Sequence, residues 1–468
     1  MQKRLLPLII VGFLGLGIGL LFPRLKTHAV DRSVASVLPE KSVLWKGHQW
    51  VKGGKKFRKA HPGRDTLQVP PLEVDRLRKE HAPEKGKPLR FAERWPVDVT
   101  PSSHGRWEDS GTESRWTVRI EAPGAQNLNL AFSQFHLPAS AQLELRVNGE
   151  LMVRPFTAED NENHGELWTP LVAGDELELV LDVAEEEREQ VDLRLNGVNR
   201  GFRAFSLAAG MEKLEGSAPA GDCHIDVVCS AEESGAGGLI DQFRDQIKAA
   251  GVYILSGTYF CSGAAINNTR NDKRPLFLTA DHCGITLSNA ASMLVYWNHE
   301  NSSCRTRGTS ANASAGNGPV NNFNSGARLR AAFEASDMTL VELDDPINED
   351  HGVFLAGWSR VGVPELGVGI HFPKGSEKRI SFDFDEPRST NYLSSEEDNG
   401  ATHWRIVGWE LGSTEGGSSG SPMFDQNGRI VGQLHGGYAA CGNDRSDWYG
   451  KLSRSWEGGG SPGSRLRD

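Results

Sequence analysis

The six cysteines of this chain (Cys223, Cys229, Cys261, Cys283, Cys304 and Cys441) all lie from residue 223 onward, and none precedes it. So abrupt an onset splits the chain into two kinds of module. An even count with no Cys-x-x-Cys pair and no His-x-x-x-His helix repeat reads as a disulfide set rather than a metal centre. Disulfides in turn place the second module in an oxidising compartment. The amino end agrees with that address. Lys3 and Arg4 precede an apolar run from Leu5 to Phe22, and Thr27-His28-Ala29 offers small residues for cleavage. This order predicts an export signal over residues 1–29 and a secreted product. An uncleaved run would instead leave the chain periplasmic or at the cell surface, since its length just spans a bilayer.

At 468 residues the chain exceeds one ordinary domain. Residues 30–98 read as a basic, proline-broken, irregular segment, and residues 99–213 as a β-sandwich. Within the latter, Trp116–Ile120, Leu128–Phe132, Leu143–Val147, Leu177–Leu181 and Val191–Leu195 alternate apolar with polar residues. Asn148-Gly149 supplies a hairpin turn between two such runs. Period-two runs punctuated by turns predict an antiparallel sandwich of about 100 residues. From residue 214 to 468 the short runs are again β-rich, as in Leu276–Thr279, Met293–Trp297, Thr339–Leu343 and Arg429–Leu434. Helical periodicity is confined to a short stretch around Leu239–Ala249, so this half is expected to be an all-β barrel domain. A formal net charge of -10 argues against a nucleic-acid partner.

Three separated segments converge on one chemistry. In Gly416-Gly417-Ser418-Ser419-Gly420-Ser421-Pro422, glycines flank a serine where backbone must approach backbone and amides must point inward. The N–H groups of Gly417 and Ser419 are therefore expected to form an oxyanion hole. A mere Gly/Ser linker is disfavoured, because strand pattern resumes at once in Met423-Phe424 and Ile430-Val431. A serine hydroxyl needs a neighbouring base near neutral pH, and His282, at a strand end before Cys283, is the candidate. Asp337, opening the strand Met338-Thr339-Leu340, is the candidate that fixes the histidine's tautomer. Either residue alone is more often structural or solvated. Taken together, His282, Asp337 and Ser419 read as a catalytic triad.

Around these residues the chain resembles the bacterial lysyl endopeptidases, members of the trypsin-like serine proteases. The matching stretches are Thr279-Ala280-x-His282-Cys283, Ser336-Asp337-x-Thr339-Leu340 and Gly417-Ser418-Ser419-Gly420-Ser421-Pro422. Gly432-Gln433-Leu434-His435-Gly436-Gly437 and Asp444-Arg445-Ser446-Asp447-x-Tyr449-Gly450 match too, and the likeness runs from about Cys223 to Arg467. It implies an all-β, chymotrypsin-like double β-barrel preceded by a sandwich that serves as propeptide. It also implies hydrolysis of protein or peptide substrates through a Ser-His-Asp acyl-enzyme, by a monomer needing neither cofactor nor metal. The propeptide would be the enzyme's own intramolecular partner.

The resemblance further implies that Asp447 lies at the base of the primary pocket and selects a cationic side chain, with His435 and Gly437 as wall residues. A buried carboxylate favours a cation because a neutral guest leaves its charge unpaired. The usual trypsin position for that carboxylate is Ser413 here. A histidine such as His435 accepts acidic residues in some relatives, but the neighbouring aspartate opposes this. The family stacks a tryptophan on that histidine, whereas Asn391-Tyr392-Leu393-Ser394-Ser395-Glu396 has none. Lysine is therefore the expected substrate residue, with arginine also accepted. Ser418 replaces the aspartate that pairs with a freed amino terminus in trypsin-like zymogens, so activation must work differently. Cleavage after Lys213, which a lysine-directed enzyme can perform on itself, would remove the sandwich. The family's pairing would join Cys223 to Cys441, Cys229 to Cys304 and Cys261 to Cys283. The last would clamp the loop bearing His282 and contribute roughly 3 kcal/mol. Relatives continue past the stretch matching Ser464–Asp468, which predicts a shortened terminal helix. The rival reading is a secreted binding protein whose sandwich takes a ligand and whose protease half is inert.

Overall fold

The computed structural model describes residues 65–84, 86–203 and 220–468. The apolar amino-terminal run, the basic stretch up to residue 64 and the Lys213–Leu214 junction lie outside the described residues.

The alternating runs form two facing antiparallel sheets. In one, Thr66–Gln68, Glu113–Glu121, Glu176–Ala184, Gln142–Val147 and Glu150–Leu151 stand side by side, with Arg106–Asp109 added to Glu113–Glu121. In the other, the order is Val172–Ala173, Asn127–His136, Asp192–Gly201 and Ala92–Val99, with Leu167–Trp168 also on Asn127–His136. Trp116, Val118 and Ile120 point inward and are buried, while Arg115 and Arg119, at alternate positions, face outward. Register then brings Leu179 opposite Val118 and Leu181 opposite Trp116, so apolar side chains meet on one face. Asn148 and Gly149 take positive φ of 51° and 81°, the tight hairpin geometry that matches strand twist.

The sandwich takes in more chain than the alternation indicated. Ala92–Val99 is one of its strands, although it falls in the segment expected to be irregular. Pro96 and the charges of Glu93, Arg94 and Asp98 hide the pattern. The strand lies at the sheet edge, paired only with Asp192–Gly201, where a missing N–H donor is tolerated. Thr66–Gln68 joins the other sheet in parallel with Arg119–Glu121, and a helix spans Val74–Glu80.

The cysteine-bearing half is the all-β double barrel, built from two eight-stranded sheets, the first of which includes Leu89–Arg90 from the preceding half. The first contains Ala250–Leu255, Tyr259–Ala265, Leu276–Thr279 and Met338–Leu343; the second contains Gly367–His371, Pro422–Phe424, Ile430–Gly437 and Asp447–Lys451. A 3-10 turn over Gly237–Phe243 runs into the helix Arg244–Ala249, where helical periodicity was read. The last helix is Leu452–Glu457. Disulfides join Cys223 to Cys441, Cys229 to Cys304 and Cys261 to Cys283.

The sandwich docks on the first barrel through specific polar contacts. Asn129 Nδ2 donates to the Gly257 carbonyl at 3.1 Å, and the Leu171 N–H donates to Tyr296 Oη at 2.8 Å. Gly257 has a φ of +64°, and a Cβ there would stand 2.2 Å from Asn199 Nδ2, so only glycine admits this approach. At the rim, His164 Nε2 lies 3.1 Å from the buried Asp344 Oδ2.

Candidate active site

Two neighbouring strands bring His282 and Asp337 together. Thr279 pairs with Thr339 at the ends of Leu276–Thr279 and Met338–Leu343, so the residues just beyond those ends meet. The Asp281 N–H donates to the Asp337 carbonyl at 3.1 Å. The Asp337 side chain, 1% exposed, then holds His282 at two points. Oδ1 accepts from the His282 backbone N–H at 2.8 Å, and Oδ2 lies 2.8 Å from Nδ1. An ionised carboxylate only accepts, so Nδ1 carries the proton and Nε2 presents a lone pair. Nε2 is buried and has no hydrogen-bond partner among the described residues, Ser419 included. Asp337 itself has a φ of 50°, a left-handed conformation stored beside the site. The Cys261–Cys283 bridge fixes the residue directly after His282.

Ser419 is set by close backbone packing. The Ser262 N–H donates to the Ser419 carbonyl at 2.7 Å, and Ser262 Oγ donates to the Gly417 carbonyl at 2.9 Å. Gly417 and Gly420 have φ of 97° and 81°. A Cβ on Gly420 would lie 2.2 Å from Thr279 Oγ1 and 2.4 Å from the Ser262 carbonyl oxygen, so the serine loop rests on the strand end that leads into His282 and on its neighbour Tyr259–Ala265. The N–H groups of Gly417 and Ser419 donate to no acceptor among the described residues. An arrangement of this kind can activate a hydroxyl and receive an oxyanion on two amides.

Ser418 is fully buried, and its Oγ lies 2.9 Å from His371 Nδ1, with Ser381 Oγ on the far nitrogen at 3.0 Å. A largely buried carboxylate near this loop is that of Glu415. Its carboxylate accepts from the Gly221 N–H at 2.8 Å, lies 3.1 Å from His224 Nε2 and pairs with Lys374 at 3.0 Å. Burial works to raise its pKa, but these partners prevail and hold it down at about 2.

Asp447 is fully buried at the head of the strand Asp447–Lys451. Its Oδ2 accepts from Trp409 Nε1 at 2.9 Å and from Thr414 Oγ1 at 2.5 Å. A Cβ on Gly437 would lie 2.6 Å from Asp447 Oδ1, so this glycine stands directly against the carboxylate. Ser413 is buried and carries no charge.

His435 is the middle of an aromatic pile. Tyr392 covers one face with ring centroids 3.5 Å apart and an interplanar angle of 1°, and His282 stacks at 5.3 Å and 14°. His435 Nδ1 is 3.0 Å from His403 Nε2 and 3.8 Å from Asp337 Oδ2. Burial, opposed by Asp337 and aided by His282, pushes the His435 pKa down to about 4. Burial and the neighbouring His435 push His403 down to about 3. Both imidazoles are therefore neutral, with one N–H shared between them. Tyr392, His403, Trp409 and Thr414 escaped the sequence reading. Tyr392 lies in the stretch Asn391–Glu396 where the resemblance implies a tryptophan, and an aromatic of either kind is the signal there. His282, Asp337 and His435 also present three ligand atoms within 4.8 Å of one another, but these atoms are engaged in the contacts just described.

Comparison with known proteins places this geometry in context. Residues 217–450 match the family model described as lysyl endopeptidase, C-terminal domain. A lysyl endopeptidase of Pseudomonas aeruginosa is 28% identical over 421 residues, which cover 84% of this chain and 83% of that protein. Solved proteases align loosely. An inactive form of Rv3671c from M. tuberculosis H37Rv gives a TM-score of 0.29 at 12% identity, covering 45% of this chain and 84% of that one. The HtrA-type protease AlgW with a tripeptide gives 0.30 at 12% identity, covering 46% and 59%. Likeness at that level carries no argument. The family match spans half of the chain and takes in the His282, Asp337 and Ser419 segments together, so the chain belongs to the lysyl endopeptidase family and is a serine endopeptidase.

Proposed function

We propose that the chain is the secreted proenzyme of an endopeptidase that cleaves after lysine and also accepts arginine. Ser419 is the nucleophile, His282 the base and Asp337 its orienter, with the Gly417 and Ser419 amides as the oxyanion hole. The two hydrogen bonds that Asp337 accepts from His282 support this reading, because they leave His282 Nε2 without a hydrogen-bond partner among the described residues. In the reaction, Nε2 takes the Ser419 proton as Oγ attacks the peptide carbonyl, then returns it to the leaving amine. Water repeats the cycle on the acyl-enzyme. Asp447 supports a cationic substrate residue, since it is a fully buried carboxylate whose Oδ2 accepts from the neutral donors Trp409 Nε1 and Thr414 Oγ1, and a cation is the guest that best matches a buried negative charge. The disulfides and the family support an extracellular setting, and the sandwich is the propeptide, released by a cut at Lys213–Leu214. A Ser419→Ala variant should lose about 10⁶-fold in turnover by analogy with other triads. Turnover of a lysyl peptide persisting in that variant would sink the assignment.

A further inference from the structure

The cleft between the oxyanion loop and the pocket strand already has an occupant from the same chain. Between the helix Val74–Glu80 and the sandwich strand Ala92–Val99, Pro83, Glu84 and Gly86 lie against this cleft. A Cβ on Gly416 would stand 3.4 Å from Pro83 Cβ and 3.8 Å from the Glu84 carbonyl oxygen. A Cβ on Gly436, the residue after His435, would stand 3.0 Å from the Gly86 nitrogen. Gly86 in turn faces Tyr392 Oη, at 3.0 Å from where its own Cβ would be, and its φ is +71°. Beyond the cleft, Leu89 and Arg90 pair with Phe260 and Tyr259 as an extra strand of the first barrel, and the Phe91 N–H donates to the Thr258 carbonyl at 2.9 Å. Pro83, Glu84 and Gly86 thus touch both walls of the second barrel, and the next residues bind the first.

The two feet of this strap are pinned to each other and to the sandwich. Arg90 Nη1 lies 2.8 Å from His81 Nε2. Arg203, 9% exposed, donates through Nη2 to the His81 carbonyl at 2.7 Å and through Nε to the Arg90 carbonyl at 3.3 Å. Arg78 Nε donates to the Phe202 carbonyl at 2.9 Å. A loop with its ends this firmly held loses little further freedom when its tip lies in the cleft, so even modest tip contacts keep it there.

We propose that Pro83, Glu84 and Gly86 belong to an inhibitory strap that occupies the substrate cleft, with Arg203 as its pin. This rests on the endopeptidase reading above and deepens it, because it assigns the latency of the uncut chain to a short loop rather than to the bulk of the sandwich.

The test uses the uncut full chain, checked by mass, and the rate at which a lysyl phosphonate labels it. Gly86→Val puts a β-branched residue at a left-handed φ against Tyr392 Oη, and should speed labelling at least about tenfold by lifting the tip. Arg203→Gln frees both feet and should act in the same direction. The processed enzymes from all three chains should label alike, since the strap has gone. Uncut wild type and both variants labelling at one common rate, while processed enzyme labels fast, would overturn the strap. Failure of processed wild-type enzyme to label would instead overturn the nucleophile assignment, so the two failures are distinguishable.

Discussion

Tyr392 lies flat on His435, with ring centroids 3.5 Å apart, and so shields an imidazole whose other face looks toward His282. Burial keeps the His435 pKa near about 4. The folded value is depressed, so the neutral ring is lost as pH falls through it. A charged His435 would repel a cationic substrate residue from the pocket. Tyr392→Ala should uncover the ring, let its pKa climb toward the ordinary histidine value and move the acid limb of kcat/KM to higher pH. The lost stacking should also cost about 0.5–1.5 kcal/mol. Pre-steady-state and pH–rate measurements on lysyl esters check both effects. An unmoved acid limb would separate His435 from the pH response.

Asp447→Asn tests the pocket independently of the chemistry. Removing one partner of a buried charge pair costs about 2–5 kcal/mol, so kcat/KM for lysyl peptides should fall by that equivalent. Labelling of Ser419 by an uncharged phosphonate should change far less. Equal losses for charged and uncharged reagents would mean that the aspartate supports the fold and not the substrate.

Sandwich docking should depend on pH through the cluster at its rim. The hydrogen bond to Asp344 raises the His164 pKa, and burial followed by Asp344 raises that of Glu162. Burial, then Glu162 and Asp160, push Asp345 up to about 6, while Arg154 and Arg328 pull the carboxylates back. Each of these groups holds its proton more tightly in the joined state, so docking is strongest at low pH and weakens as pH rises through about 6. His81, whose pKa burial and Arg90 depress, works the other way as pH falls. With the linker nicked in a Ser419→Ala chain, the two halves should coelute near pH 5 and separate near pH 8 on a sizing column, a window around the ordinary histidine pKa. Retention independent of pH would rule the cluster out.

Ser418→Ala should destabilise rather than silence the enzyme. The change leaves the buried Nδ1 of His371 without its hydroxyl partner, at a cost of about 1–3 kcal/mol. Denaturant unfolding measures it. A loss of activity with unchanged stability would assign Ser418 to the reaction itself.

Which parts of this arrangement the sequence made legible follows from the range of the interactions. Trp116–Ile120 and Leu177–Leu181 announce their strands because burial of one face writes a period of two into the residues themselves. Ala92–Val99 does not, because an edge strand accepts Pro96 and charged residues that erase the period. The segments of His282, Asp337 and Ser419 were readable for their spacing-bound backbone needs, seen in the positive φ of Gly417 and Gly420. The support around them was not. Tyr392 and His403 reach His435, and Trp409 and Thr414 reach Asp447, from segments well separated in sequence. The strap has neither period nor motif, and its role rests wholly on where its ends are pinned.

The sandwich contains none of the six cysteines, whereas the Cys223–Cys441 bridge closes a span of 218 residues. The half that leaves the ribosome first can therefore reach its fold without an oxidant. Its docking groups, Asn129 and Leu171 among them, contact Gly257 and Tyr296 of the first barrel, all synthesised well before Cys441. The finished sandwich thus offers a solid floor on which the first barrel can pair its strands while the long covalent loop is still open. Order of synthesis becomes order of assembly.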